Sequence, residues 1–360
     1  PFLMRVVRAK VEIPSDITKK KVGKIIGISL GSVVGLFLVT VLALACARNL
    51  MYKNFLKNAK EEVKIPGLDA PYSPQGLAYV PEDDAFLFTG YMTDHTSSRI
   101  YINNKENNVG MVKMPNLNDK TFTGHVGGIA KYKDYVYVAN NKKIYVLSYQ
   151  QIKENAYKDE KDQTPLTMTS FSVHNQASFV FANEEGLWVG EFYLKNKYET
   201  DESHHFKTSD GSHNNAWVEH YSFMKNDGND NEDAKAYGLA SLTPDQIVTV
   251  KQKVQGFAVD EQGRFILSTS WAIFHSYLTV YEAIQESQKE DRFVTIDDKE
   301  IPVYDLNSKN QISITRMMPM SEDLDYYNGN VYVNFESACK KYKAFNLYPT
   351  YYVMSYSLNK

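Results

Sequence analysis

The stretch from Gly124 to Ser148 constrains the fold more than any other part of the sequence. It contains three short apolar runs, at 128–132, 135–139 and 144–147, separated by Lys133-Asp134 and by four polar residues at 140–143. Runs rich in β-branched and aromatic residues with short polar connections predict an antiparallel meander. Because the pattern recurs along most of the chain, the sequence predicts an array of four-stranded units.

Five such units can be read, with first strands at 75–80, 128–132, 176–180, 255–259 and 322–326. The fifth unit has only three strands, and the segment Val63-Lys64-Ile65 can supply its fourth. Such closure removes the exposed edges that an open array would leave. The sequence therefore predicts an all-β, five-bladed β-propeller. Six blades are the alternative if strands lie in the polar gaps at 196–233 or 285–305, which we interpret as loops.

A β-sandwich of similar strand count is the competing prediction. Three of the five first strands, however, open with glycine, an apolar residue and alanine, beginning at Gly76, Gly128 and Gly256. In a propeller these small residues would lie on the crowded inner strands near the axis. A sandwich does not predict their recurrence.

An uncharged run from Ile25 to Ala47 has the length of a membrane-spanning helix. It divides the chain into a basic tail (1–24), a transmembrane helix (25–47), a stalk (48–62) and the propeller (63–360). The lysines at 19–21 favour a cytoplasmic N terminus and an extracellular propeller at the cell surface. Three fates of the segment stay open: a permanent signal anchor, cleavage at an A-x-A pattern within 43–47 with secretion, and lipidation of Cys46.

Glycines every fourth residue, at Gly27, Gly31 and Gly35, would allow two such helices to approach closely as a weak homodimer. Since Cys46 and Cys339 are the only cysteines, the outer domain cannot contain a disulfide, which is more typical of a Gram-positive surface. The net charge of −3 gives no indication of nucleic-acid binding.

Polar residues precede each predicted inner strand and would ring one mouth of the channel, where they are candidate ligand-binding groups. They are Gln75, His125, His174, Gln176, Gln255 and Glu322. A second ring would follow the next strand of each blade, and consists of Tyr91, Asn140, Glu191, Trp271 and Glu336. The alternative is that these are ordinary turn residues whose side chains cap backbone groups.

Glu191 and Glu336 each continue an apolar strand, so their carboxylates are expected at the channel. Two carboxylates there would bind Ca²⁺ or another divalent cation, or act as general acid and base with His125 as a further candidate. The alternative is that they pair with lysines such as Lys340 or Lys341.

An insertion at 203–217 contains three of the eight histidines. Zinc binding is one interpretation, but the spacing favours a loop folded over the channel mouth with its histidines hydrogen-bonded to backbone. The sequence lacks G-x-S-x-G, G-x-G-x-x-G and Walker A motifs, which argues against common nucleophilic and nucleotide-dependent enzymes.

Three segments carry a family resemblance: 124–128, 188–193 and 320–338. Through them the chain resembles a group of uncharacterised exported, membrane-anchored propeller proteins of Gram-positive bacteria, which implies a propeller but no particular activity. It is more distantly similar to lactonase-type propellers, and that similarity implies a central metal held by Glu191, Asn140 and Glu336. Two functions are therefore expected: a membrane-tethered module that binds a cell-wall glycan, peptide or surface protein, or a metal-dependent hydrolase or lyase. A purely scaffolding role is the third possibility.

Overall fold

A computed structural model describes residues 19–106, 108–225, 231–285 and 292–358, with backbone alone for 19–32. The chain divides after Met51 into two compact units. The first contains α1 (Lys19–Met51), whose segment Val33–Met51 has a mean hydropathy of 2.1 and is long and apolar enough to cross a membrane. This helix is compatible with an anchor or a signal sequence.

Two sequence predictions for this unit concern residues that the structure describes only in part. Residues 1–18 of the predicted basic tail are not described, and the side-chain surroundings of Gly27 and Gly31 are not described either. A Cβ added to Gly35 would meet no atom within 4 Å. The helical homodimer therefore stays a prediction.

The second unit is a five-bladed β-propeller, as predicted. It opens with α2 (Lys53–Leu56) and β1 (Ala59–Lys64). Blade 1 contains β2 (Tyr72–Val80), β3 (Ala85–Met92), β4 (Arg99–Asn104) and β5 (Val109–Lys113). Blade 2 contains β6 (Gly128–Tyr132), β7 (Tyr135–Asn140), β8 (Lys143–Ser148) and, after α3 (Tyr149–Ala156), β9 (Met168–Ser172).

The remaining blades carry the insertions. Blade 3 contains β10 (Phe179–Ala182), β11 (Gly186–Gly190), the hairpin β12 (Phe206–Lys207) and β13 (His213–Asn214), then β14 (Ala216–Ser222), α4 (Glu232–Lys235) and β15 (Gln246–Val250). Blade 4 contains β16 (Val254–Val259), β17 (Phe265–Thr269), β18 (Ser276–Tyr281) and its last strand β21 (Gln311–Met317). Between β18 and β21 the chain forms β19 (Phe293–Ile296) and β20 (Lys299–Asp305), which join the sheet of blade 3. Blade 5 contains β22 (Ser321–Tyr327), β23 (Asn330–Phe335) and β24 (Tyr352–Ser357).

Blade 5 is completed by the start of the unit, as the sequence predicts. β1 pairs antiparallel with β24, with Ala59 opposite Tyr356 and Lys64 opposite Tyr352. The pairing begins four residues before Val63, within the segment expected to be a stalk. The sheet order β1-β24-β23-β22 thus joins the two ends of the unit and closes the ring.

The two polar gaps are not only loops, which corrects the sequence interpretation. The first contains β12–β13, and the second contains β19–β20, whose strand β20 adds in parallel to β15 at the outer edge of blade 3. The backbone groups on that edge of β15 are therefore hydrogen-bonded to a hairpin that comes from the chain between β18 and β21. The second gap extends the sheet of blade 3 to six strands, the first forms a separate two-stranded hairpin, and neither forms a sixth blade.

Crowding at the axis explains the recurring glycines. A Cβ on Gly128 would lie 2.6 Å from the backbone nitrogen of Val180, and a Cβ on Gly256 would lie 2.6 Å from that of Leu324. In both cases the obstacle is the backbone of the next blade's inner strand, which cannot rotate away. The inner strands therefore need glycine where they pass one another, as the propeller prediction requires.

Candidate functional site

The axial channel has two mouths, which we name by the direction of the inner strands. At the start mouth the inner strands begin and the second strands end, since Gly128 pairs with Ala139, Phe179 with Gly190 and Ser321 with Phe335. Both predicted polar rings therefore belong to the start mouth. The end mouth is where the inner strands finish, near Tyr79, Ala182 and Tyr326.

Two glutamates, the buried Glu322 and the half-buried Glu336, form a pair at the start mouth. Glu322 comes from the first strand of blade 5, Glu336 directly follows the second, and their carboxyl groups are hydrogen-bonded to each other. Such a bond needs a proton on one of them. Burial, with the like charge of its neighbour, raises the pKa of Glu322 well above its usual value, and burial raises that of Glu336 to about 7.

Blades 1 and 2 complete the hydrogen bonding of this pair. Ser73 Oγ and Gln75 Nε2 donate to Glu336 Oε2 over 2.9 and 3.0 Å. The Oε1 of Gln75 is 2.7 Å from His125 Nε2. Desolvation of the ring by its packed neighbours, with a smaller effect of Lys341, lowers the pKa of His125 although the residue as a whole is exposed, so the imidazole is neutral at pH 7 and donates this bond. The chain of groups runs from His125 through Gln75 to the glutamates.

Aromatic side chains cover the network. The ring of Tyr91 stacks on His125 with centroids 4.5 Å apart, and its hydroxyl accepts a 2.6 Å hydrogen bond from Lys341 Nζ. The hydroxyl of Tyr342 is 3.4 Å from that of Tyr91, and Lys341 lies over both rings. The start mouth is therefore partly covered by its own side chains, while His125 and Lys341 stay exposed to solvent.

Below the start mouth, Asp323 joins three blades. Its Oδ2 accepts from the backbone nitrogens of Leu77 (3.2 Å, blade 1) and Ile129 (3.4 Å, blade 2), and its Oδ1 from that of Leu324 (3.0 Å). The side chain is fully buried, and burial raises its pKa well above the usual value. Asp323 thus holds the inner strands together around the axis.

Glu191 binds a different set of groups, from blade 3 and its insertion. Its Oε1 is 2.7 Å from His204 Nδ1 and accepts from Trp217 N (3.2 Å), and its Oε2 accepts from Gln176 N (3.3 Å). His204 also stacks on Trp217, with centroids 3.5 Å apart. The insertion therefore folds onto Glu191. Its first two histidines, His204 and His205, bond side chains and not the backbone expected from the sequence.

The other predicted ring residues are separate from the glutamate pair. Asn140 Oδ1 accepts from the backbone nitrogens of His125 and Val126, the capping role foreseen as the alternative. The His174 ring lies 3.4 Å from Asp297 of the β19–β20 turn. Gln255 is half-buried in β16, and Trp271 packs against Phe192, Tyr198 and Lys197 at the rim.

These contacts do not fit the central metal implied by the lactonase-type resemblance. Asn140 accepts from backbone nitrogens, Glu191 contacts His204, and Glu336 accepts from Gln75, so the three proposed ligands have no common partner. Within the described ranges no three His, Cys, Asp or Glu side chains are grouped to hold a metal ion. We derive no metal-dependent step.

The end mouth, in contrast, contains an open cavity of about 700 Å³. Four tyrosines line it: Tyr79, Tyr132, Tyr326 and Tyr327. Its ionisable lining residues are six acids (Glu82, Glu184, Glu185, Asp260, Glu261, Asp325) and two lysines (Lys131, Lys133). Burial raises the pKa of Asp325 to about 7, although its carboxyl accepts backbone hydrogen bonds from Tyr79 and Tyr326. The cavity is aromatic and predominantly acidic.

Sequence reasoning missed both Asp323 and the end mouth. Strand β22 carries three carboxylates, Glu322, Asp323 and Asp325, within a core strand, and that anomaly was the available signal. An irregularity in the pairing with β23 between Ser321 and Leu324 lets the adjacent Glu322 and Asp323 both be buried. Loop residues of the end mouth carry no comparable sequence pattern.

Comparisons with known proteins support no function. No protein-family model and no curated protein sequence matches the chain. Solved structures that resemble it include the PQQ-bound aldose sugar dehydrogenase of Streptomyces coelicolor (12% identity, 83% of this chain and 97% of that one, TM-score 0.42). They also include a gluconolactonase of Xanthomonas campestris (10% identity, 81% of this chain and 87% of that one, TM-score 0.33). A third is the Myxococcus xanthus glutaminyl cyclase (9% identity, 84% of this chain and 97% of that one, TM-score 0.40). These similarities are too distant to bear on chemistry.

Proposed function

We propose that the protein is a membrane-tethered binding module, with an extracellular propeller that takes its ligand into the end-mouth cavity. The observation that supports this is the cavity itself: its volume of about 700 Å³ lies within the range of ligand pockets. At the start mouth, the glutamates and amide groups already bond one another. At the end mouth, exposed side chains such as Tyr327, Glu184 and Glu185 line the open space.

The lining chemistry specifies the ligand class. Tyrosine rings stack on sugar rings and provide rigid contact area, and a ring face attracts ammonium groups. Six carboxyl groups against two lysines disfavour polyanions. A cell-wall glycan with free amino groups offers sugar rings to the tyrosines and positive charge to the carboxylates. A basic peptide segment of a surface protein offers the positive charge.

Calorimetric titration of the full chain in nanodiscs tests this proposal. The probes are glucosamine oligosaccharides, N-acetylglucosamine oligosaccharides and polyglutamate. We expect the cationic probe to bind most tightly, with affinity falling as salt increases, and polyglutamate not to bind. Tyr327→Ala and Glu261→Gln should each weaken binding about tenfold or more.

Trp271→Ala at the start mouth is the matched control. If that substitution abolishes binding while Tyr327→Ala leaves it unchanged, the ligand site is the start-mouth ring predicted from the sequence. If none of the probes binds, the proposed ligand class is wrong.

A second candidate function, acid–base catalysis in a hydrolase or lyase, is favoured by one observation. The pKa of about 7 for Glu336 suits a general acid at neutral pH. Turnover of lactone and ester substrates by the wild type, lost in Glu336→Gln with the fold intact, would support it. Equal turnover in both proteins would exclude this role for the pair.

A further inference from the structure

Two loops at the start mouth expose large apolar side chains. The β17–β18 loop carries Ile273 (59% exposed) and Phe274 (69%), and the β23–β24 loop carries Phe345 (77%) and Leu347 (70%). Single exposed apolar residues are ordinary, but a group on one face marks an interaction surface. We call these four residues the apolar tips.

The two loops meet at Tyr52. The hydroxyl of this buried residue lies 3.0 Å from His275 Nδ1, directly after the first loop's tips, and its ring packs edge-on against Tyr348, directly after Leu347. Tyr52 is the first residue of the propeller unit and follows Met51, the last residue of α1. The loops that carry the apolar tips therefore both contact the first residue of the propeller unit.

Basic and aromatic residues accompany the tips. Lys340, Lys341 and Lys343 precede Phe345, and all three are exposed. Lys343 pairs with the exposed Asp69 (3.2 Å) and Lys341 contacts Tyr91, while Trp271 lies two residues before Ile273 in the sequence. Lysine beside tryptophan, tyrosine and apolar side chains is typical of segments at the interface between lipid headgroups and acyl chains.

We propose that the start-mouth face of blades 4 and 5 docks on the bilayer, with the apolar tips inserted at the acyl boundary and the lysines among anionic headgroups. This rests on the membrane anchor of the proposed function. The short connection at Met51–Tyr52 leaves little slack between the end of a spanning helix and the tips, which favours the bilayer over a second copy of the chain. Docking in this way turns the end-mouth cavity away from the membrane.

Fluorescence depth measurement on the full chain tests the docking. In a Cys46→Ser background, which leaves only the fully buried Cys339, Phe274→Cys, Phe345→Cys and the end-mouth control Tyr327→Cys are each labelled with an NBD probe. The proteins are reconstituted in phosphatidylcholine–phosphatidylglycerol liposomes. We expect blue-shifted emission, quenched by spin-labelled lipid, at 274 and 345. At 327 we expect emission typical of water, quenched by iodide.

The outcomes separate the two proposals. Protein that alkaline carbonate releases from the liposomes has no anchor, and then both proposals are wrong. Anchored protein whose probes at 274 and 345 respond only to iodide overturns the docking alone. Blue-shifted probes that spin-labelled lipid does not quench, with a shift that depends on protein density, would show contact between copies of the chain and likewise overturn it.

Discussion

The two mouths of the channel are built from the same five inner strands and yet differ in what their polar groups do. At the start mouth, Gln75, His125, Glu322 and Glu336 bond one another, and Tyr91 covers them. At the end mouth, tyrosines and carboxylates surround about 700 Å³ of open space. Polar side chains that converge at one mouth therefore do not by themselves indicate a ligand site. Their hydrogen bonds to one another can instead serve to join the blades.

Burial separates the axis of the propeller from the end mouth. Between the mouths, Asp323 is fully buried and bonds three backbone nitrogens. At the end mouth, Tyr327 is 44% exposed. Substitutions at the first kind of position should change the free energy of unfolding, and substitutions at the second kind should change ligand binding.

The largest expected effect is that of Asp323→Ala. It leaves the backbone nitrogens of Leu77, Ile129 and Leu324 without their acceptor, at a cost to the free energy of unfolding of about 3 kcal/mol or more. Asp323→Asn keeps one acceptor oxygen and should lose less. Urea denaturation of the full chain in detergent measures both. Equal stability of the alanine variant and the wild type would show that the carboxyl does not join the blades.

The next effect is that of Gly128→Ala, whose Cβ would press on the backbone of Phe179 and Val180. Overpacking of this kind costs about 1–3 kcal/mol of unfolding free energy. Ala182→Val, at the half-exposed opposite end of β10, is the matched control and should change stability by less than about 0.5 kcal/mol. Similar losses in both variants would mean that the channel is equally tight at both ends.

The pH dependence of stability tests the glutamate pair. Because the folded-state pKa of Glu336 is raised to about 7, above its unfolded value of about 4.3, its contribution to stability is complete below about pH 4.3 and is lost as pH rises through about 7. Glu322, raised further, extends the loss to higher pH. His125 acts oppositely, since its lowered pKa removes stability as pH falls from about 6.5 toward 4.

The variant that isolates the pair is Glu322→Gln, whose amide can donate to Glu336 as the protonated acid does. Its thermal midpoint should vary less with pH than that of the wild type between about pH 6 and pH 8, where His125 is neutral in the folded state. Burial also raises the pKa of Glu219, in blade 3, to about 8, so Glu219→Gln should flatten the profile as well and measures what a buried carboxyl outside the pair contributes. If the Glu322→Gln profile is as steep as that of the wild type, the two glutamates do not share a proton.

Much of the fold could be predicted from the sequence, because strand periodicity and the glycines report local geometry and axial crowding directly. Five blades and closure near Val63 follow from these signals. The hairpin of β19 and β20 carries apolar and β-branched residues that could have indicated strands, but its pairing with a different blade could not be foreseen. Its strands are stabilised by the free edge of β15, which nothing in their own sequence indicates.

The candidate site was less predictable for a physical reason. Position in the repeat places Glu191 and Glu336 at equivalent points, but their partners come from distant segments: His204 for the first, and Ser73 and Gln75 for the second. Side-chain pairing across blades depends on tertiary contacts that periodicity does not encode. The cavity at the end mouth is a property of loop packing and has no sequence counterpart.

The smallest expected effect on stability is that of Tyr327→Ala, and it decides what the end mouth is for. The side chain lies on the rim, with its ring 5.4 Å from that of Tyr79, so its removal should change the free energy of unfolding by no more than about 0.5 kcal/mol. Binding of the glucosamine oligosaccharide should nevertheless fall, because the ring is a stacking surface for the ligand. A loss of stability as large as that of Gly128→Ala would instead make this tyrosine part of the joint between blades. The two mouths would then have the same structural role.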